Sequence, residues 1–253
     1  MLTPEVQVFD LRGEPPQIPA GRWTPHVRRD PAQLCGAALH GWGVRQVGTL
    51  ASQRARYGEP LALARRALRA PYGVTAGVTA HGKVPVVAIA HPLERYTYAS
   101  DAGNAHFLAI GVMGLFPFVE SQRSVYRHTP HLAAMQAAVD RALEVAADLL
   151  AEAGVRAPML VTHRQCVNGK KDHVCCPGEA VVQMALRSPA YELGGFRADP
   201  NLVLDDRHGL PWPEEWRRHL QRSSHSDGSA ESSVRVVESV AKRPQDSEEE
   251  RVV

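Results

Sequence analysis

A single long amphipathic stretch decides how this chain can pack. Between Pro130 and Ala153, the residues Met135, Val139, Ala142, Ala146 and Leu149 recur at helical spacing on one face. Thr129 suits the cap, Pro130 the first turn, and Gly154 stops the run. A helix with one apolar stripe must bury it against another layer. The material for that layer is a set of short apolar runs of strand length: LCGAALH (34–40), GVTAGVTA (73–80), VPVVAIA (84–90), FLAIGV (107–112) and MLVT (159–162). The second and third flank His81-Gly82-Lys83 and read as a hairpin. EPLALARRALRA (59–70) and Gly178 to Leu186 predict two further helices. The fold class is therefore α/β, a mixed central β-sheet flanked by helices, expected as one domain over residues 31–222.

Both ends differ from this middle. Residues 1–30 contain five prolines and little periodicity, and predict an extended N-terminal arm lying on the domain. Residues 223–253 are rich in Ser and charge, contain no aromatic side chain, and predict a disordered tail. Four basic and seven acidic groups give that tail a charge of −3, so the net +2 of the chain hides a body at +5. Mild basicity suits an anionic polymer without the dense patch of a nucleic-acid binder, so no nucleic-acid partner is expected.

No apolar run approaches the ~20 residues of a membrane helix, so no membrane span is expected. The N-terminus lacks a basic region followed by an apolar stretch, so the chain is expected in a reducing cytoplasm unless another route releases it to the cell wall. Four cysteines make no disulfide framework, and in a reducing compartment clustered Cys and His read first as metal ligands. Cys166 and Cys175 are expected as free thiols there, and could pair as a disulfide if the protein is exported. The protein is expected to be a monomer.

One segment concentrates such residues: Thr162-His163-Arg164-Gln165-Cys166, then Lys170-Lys171-Asp172-His173, then Cys175-Cys176-Pro177-Gly178-Glu179. A His at a strand end and a Cys at a helix start can share one zinc ion, with three protein ligands leaving a position for water. The helix start and nearby lysines favour the thiolate. The bland alternative is two small core cysteines and a satisfied histidine. His40, closing the run LCGAALH, is the best source of a third ligand.

These segments, taken in order, resemble the zinc-dependent N-acetylmuramoyl-L-alanine amidases of type 2, relatives of the peptidoglycan recognition proteins and phage lysis amidases. The resemblance runs over about residues 8–216. It is carried by Val8-Phe9-Asp10-Leu11-Arg12-Gly13-Glu14, Cys35 to His40, Pro71-Tyr72-Gly73-Val74, His91-Pro92-Leu93-Glu94 with Tyr96-Thr97-Tyr98 and Asn104, Ile110-Gly111-Val112, Thr162-His163-Arg164-Gln165, and Cys176-Pro177-Gly178-Glu179. It implies a zinc ion in a surface groove, held by His40, His163 and Cys176, with His173 or Asp172 as alternatives for the third ligand. It implies cleavage of the amide between N-acetylmuramic acid and L-alanine in peptidoglycan or muropeptide fragments. Tyr72 with Lys171 or Lys170 would serve as catalytic groups, and Tyr98, Asn104 and Arg164 as substrate-binding ones.

Four departures bear on turnover. The family's Ile-Gly-Ile-Glu strand supplies a general base, whereas this chain reads Ile110-Gly111-Val112-Met113. Ala99, Gly73 and Gly41 stand where relatives usually carry His, His, and Thr or His. Loss of base assistance costs typically 10²–10⁴-fold, with Glu94 or Glu120 as conceivable substitutes. The alternative expectation is a catalytically impaired peptidoglycan-binding module that keeps zinc and the groove. A third is an unrelated enzyme with a structural zinc knot closed by a fourth ligand. Trp212 and Trp216 are expected to pin the last ordered segment, and the Arg-Arg pairs at 28–29, 65–66 and 217–218 to be solvated surface.

Overall fold

The structure is a computed structural model that describes residues 4–21, 25–42, 58–79, 83–98, 103–113, 132–163 and 176–197. Six strands form one sheet: β1 (Gln7–Asp10), β2 (Gly36–Trp42), β3 (Val74–Val78), β4 (Pro85–Ile89), β5 (Phe107–Met113) and β6 (Met159–Thr162). Their spatial order is β1-β4-β3-β5-β2-β6. The pairs β1/β4, β3/β5, β5/β2 and β2/β6 are parallel, and β3/β4 is antiparallel. The sheet is thus mixed, as the sequence predicts, and helices α1 (Pro60–Arg65), α2 (Leu132–Glu152), α3 (Glu179–Arg187) and α4 (Pro189–Leu193) flank it.

Alternation along each strand sorts the side chains onto two faces. Leu39, Val74, Leu108, Ile110 and Val112 meet the α2 stripe, including Val139 and Leu143, in the main core. Helices α3 and α4 join this layer through Val181, Met184 and Tyr191. On the other face, Leu63 of α1 and Leu68 of the turn after it pack on Val86, Ala88 and Met113. By the same alternation, His40 and Trp42 of β2, Gly111 of β5 and Val161 of β6 face away from α2.

Several expectations are refined. The first strand starts at Gly36 and runs past His40 to Trp42. The helix expected over 59–70 is α-helical only to Arg65 and tightens to 3₁₀ over Arg66–Arg69. The N-terminal arm is more than a strap, since β1 hydrogen-bonds into the sheet edge beside β4. Helix α4 is an addition to the expected elements, although Ser188 caps it through its hydroxyl and Pro189 opens it. Thr129 and Pro130 at the expected start of the long helix, His81 and Gly82 of the hairpin turn, the Trp212–Trp216 segment and the tail lie outside the described residues.

Candidate metal centre

The site sits where β2 and β6 end. His40 is the fifth residue of β2 and His163 directly follows β6, both on the face away from α2. Parallel pairing of Leu39 with Thr162 sets the two histidines side by side, with ring centroids 4.3 Å apart. They are almost wholly buried, at 1% and 2% exposure. The third group arrives from the segment before α3, where the Cys176 sulfur lies 4.0 Å from Nδ1 of His40. One donor atom from each of His40, His163 and Cys176 lies within 4.8 Å of the other two.

Two glycines make this approach feasible. Beyond the last β2/β6 pair, the Gly41 N–H donates to the Cys176 sulfur at 3.3 Å. A Cβ at Gly41 would stand 2.6 Å from the Pro177 carbonyl oxygen, so only glycine lets the Cys176-Pro177 segment close over the strand end. On β5, Gly111 pairs with His40, and a Cβ there would overlap the Tyr72 ring. Tyr72 therefore lies flat against the sheet beside His40, its ring centroid 5.1 Å from the imidazole.

Aromatic rings wall the centre. Tyr98 packs 5.9 Å from His40 and 5.4 Å from His163, and Trp42 stands 5.7 Å from Tyr72. Sequence reasoning missed Trp42, although its position two residues after His40 puts it on the same face. Burial, and secondarily the charge of Cys176 and the proximity of Tyr98, raise the Tyr72 hydroxyl above its ordinary value, so it stays protonated at neutral pH.

The donor set fits a soft divalent ion. Two neutral imidazoles and one thiolate suit zinc, whose bond lengths of ~2.0–2.3 Å imply donor separations of roughly 3.3–3.6 Å in a tetrahedron. The observed spacings need only a modest contraction to meet that. A peptide N–H on the sulfur also favours the thiolate that such an ion requires. No carboxylate among the described residues joins the group.

The other expected site residues fare differently. Asn104 is fully buried before the N-terminal end of β5, and its peptide carbonyl accepts from Arg29. Met113 is 6% exposed and packs among the apolar residues under α1. Gly73 is buried, and a Cβ there would overlap the Leu108 side chain, so a histidine at this position would need Leu108 to shift. Glu94 is exposed. Arg164, Lys170, Lys171, Asp172, His173, Glu120, Ala99, Cys166 and Cys175 lie outside the described residues.

One expectation is overturned. Arg29, read as solvated surface, is only 7% exposed and donates to three peptide carbonyls. Its neighbour Arg28 forms a bridge to Arg95 instead, so the two arginines of the pair part ways.

No family model matches this sequence, and no curated protein matches it. Among solved structures, the chain is similar to Staphylococcus aureus hydrolase AmiA in complex with its ligand. The identity is 11%, the match covers 78% of this chain and 88% of that one, and the TM-score is 0.36. So loose a likeness carries no functional argument. No helix among the described residues is long and apolar enough to cross a membrane.

Proposed function

We propose that the protein is a zinc-dependent hydrolase of peptidoglycan that cleaves the amide between N-acetylmuramic acid and L-alanine. The observation that carries this reading is the meeting of His40 with His163 and Cys176, more than 120 residues away in sequence, within 4.8 Å. The three soft donors that the described residues bring together leave one side of a bound ion for water and substrate. Zinc held there would supply Lewis-acid polarisation of a carbonyl and an acidified water.

The chain's own groups do the rest. Tyr72, kept protonated by burial, is suited to donate a hydrogen bond to a developing oxyanion and unsuited to act as a base. Tyr98 and Trp42 offer ring faces on which a sugar or lactyl group can rest. Lys170, Lys171 and Arg164 keep the roles the family resemblance implies. The sequence resemblance over residues 8–216 names the scissile bond, because donor chemistry alone defines only metal-assisted hydrolysis.

A second reading has its own observation. Met113 stands at the family's base position and is buried among apolar side chains, so the described residues bring no carboxylate to the centre. That favours a peptidoglycan-binding module with zinc and little turnover.

Zinc analysis combined with muropeptide release from purified cell wall separates the two. Stoichiometric zinc and metal-dependent release of free stem peptide, both abolished in His163→Ala, support the hydrolase. Zinc and wall binding without release support the binding module, and a wild type that holds no zinc overturns both.

A further inference from the structure

Outside the metal centre, Arg29 is a buried charge with three hydrogen bonds to peptide carbonyls. Its Nε donates to the Leu93 carbonyl at 2.8 Å, and its Nη1 donates to the carbonyls of Asn104 (2.9 Å) and Phe107 (2.8 Å). Each of these acceptors is a neutral peptide oxygen. Burial lowers its pKa to about 10, so it remains charged at neutral pH. A desolvated charge held by neutral carbonyls is costly for stability, and apolar packing would serve a mere filler better.

The three carbonyls explain the placement. Leu93 lies on the segment that leaves β4, Asn104 in the short turn before β5, and Phe107 begins β5. Arg29 therefore ties both limbs of the β4–β5 connection to each other. Around it, residues of the N-terminal segment run antiparallel to the same connection. The Arg29 N–H donates to Glu94, the Tyr96 N–H to Val27, and the Arg95 guanidinium to Pro25. Thr97 adds a second tie, its hydroxyl donating to Phe107 and accepting from the Ala109 N–H at 3.0 Å. The next residue is Tyr98, whose ring closes the metal centre against His40 and His163.

We infer that Arg29 is a positioning residue for the metal centre. It fixes the β4–β5 connection so that Tyr98 stands against the two histidines, and through Tyr98 it sets how substrate is seated. The substrate part of this statement rests on the hydrolase reading; the placement of Tyr98 does not. A planar fork can address several carbonyls at fixed angles, which an ammonium on a flexible stem does not reproduce.

Amide hydrogen exchange of the metal-free full chain tests the placement, in Arg29→Met and in Arg29→Lys, which keeps the charge if the first variant folds poorly. Exchange should accelerate roughly tenfold or more within Leu93–Tyr98 and Asn104–Ala109, with α2 and β6 unchanged. Acceleration spread evenly over all elements would mark Arg29 as a general stabiliser and overturn the inference. Muropeptide kinetics test the coupling: KM should rise roughly tenfold with kcat nearly intact. In a Tyr98→Ala background the Arg29 variants should add little further, whereas additive effects refute action through Tyr98. Should the wild type release nothing, the hydrolase reading falls on its own. Coupling is then read from Co²⁺ bound at the three ligands, whose visible spectrum should shift alike in Arg29→Met and Tyr98→Ala. A shift in Tyr98→Ala alone refutes it.

Discussion

The Gly41 N–H donates to the Cys176 sulfur at 3.3 Å, and the same glycine leaves just enough room for the Pro177 carbonyl that follows. A strand residue without a side chain thus sets the distance at which Cys176 meets His40 and His163. Gly41→Ala keeps the N–H but places a methyl 2.6 Å from a backbone oxygen, which cannot rotate away. Cys176 must retreat from His40. Zinc affinity, measured by chelator competition, should fall roughly 10–100-fold, the usual cost of disturbing a ligand's support. Stability should fall by about 1–3 kcal/mol as an overpacked site relaxes. Unchanged zinc affinity in Gly41→Ala would show that the segment closes on the strand in some other way.

Tyr72 separates packing from chemistry. Tyr72→Phe keeps the ring against Gly111 and His40 and removes only the hydroxyl. Under the hydrolase reading, kcat should fall roughly 10²–10³-fold with zinc affinity unchanged, as for the loss of one oxyanion donor. The hydroxyl pKa is raised above its ordinary 10.0, so the group is protonated throughout the neutral range and adds no limb to the rate profile there. Gly111→Ala instead pushes the ring off the sheet, and should disturb metal binding as well as rate. Wild-type turnover in Tyr72→Phe would remove Tyr72 from the mechanism.

Met113 suggests a simple repair, and the structure opposes it. Met113→Glu restores the family's carboxylate in sequence but sets it among Leu63, Leu68 and Val86. A carboxyl there is desolvated, its pKa rises, and the fold should lose roughly 2–4 kcal/mol by chemical denaturation. Any gain in rate should therefore appear only where the variant is still folded. A variant as stable as wild type would mean that the pocket under α1 admits water.

Much of this arrangement was legible in the chain. The α2 stripe, the β3/β4 hairpin and the donor residues that gather within 4.8 Å declare themselves because periodicity, capping and donor chemistry are local properties. The order of strands was not, because QVFD at the sheet edge is short, half polar and joined to β4 only by nonlocal pairing. Arg29 shows the limit more sharply. Arg28 and Arg29 are chemically identical in sequence, and what separates them is three carbonyls contributed from 64 to 78 residues away. Helix α4 is hard to read because five residues are too few for a periodic signal, although Ser188-Pro189 marks its start.

His91 is a source of acid sensitivity built into the fold. It is buried, its Nε2 lies 2.9 Å from the Ala70 carbonyl, and a carbonyl can only accept, so Nε2 holds the proton of a neutral ring. Nδ1 is buried without a hydrogen-bond partner among the described residues. Burial lowers the pKa below its ordinary 6.5, the Ala70 bond partly offsets this, and the charges of Arg95 and His26 add to the lowering. The folded state then binds fewer protons than the unfolded one. The stabilisation is full above pH 6.5 and is lost as pH falls through that value towards the folded pKa. The slope cannot exceed one proton, about 1.4 kcal/mol per pH unit. His91→Gln removes the titration while an amide N–H can still reach Ala70. Urea midpoints measured from about pH 7.5 down to about 5.5, a window that brackets the ordinary histidine pKa, should drop more steeply for the wild type than for this variant. His40 and His163 are present in both proteins and cancel in the comparison. Parallel pH profiles would mean that His91 is protonated in the folded protein with a partner of its own.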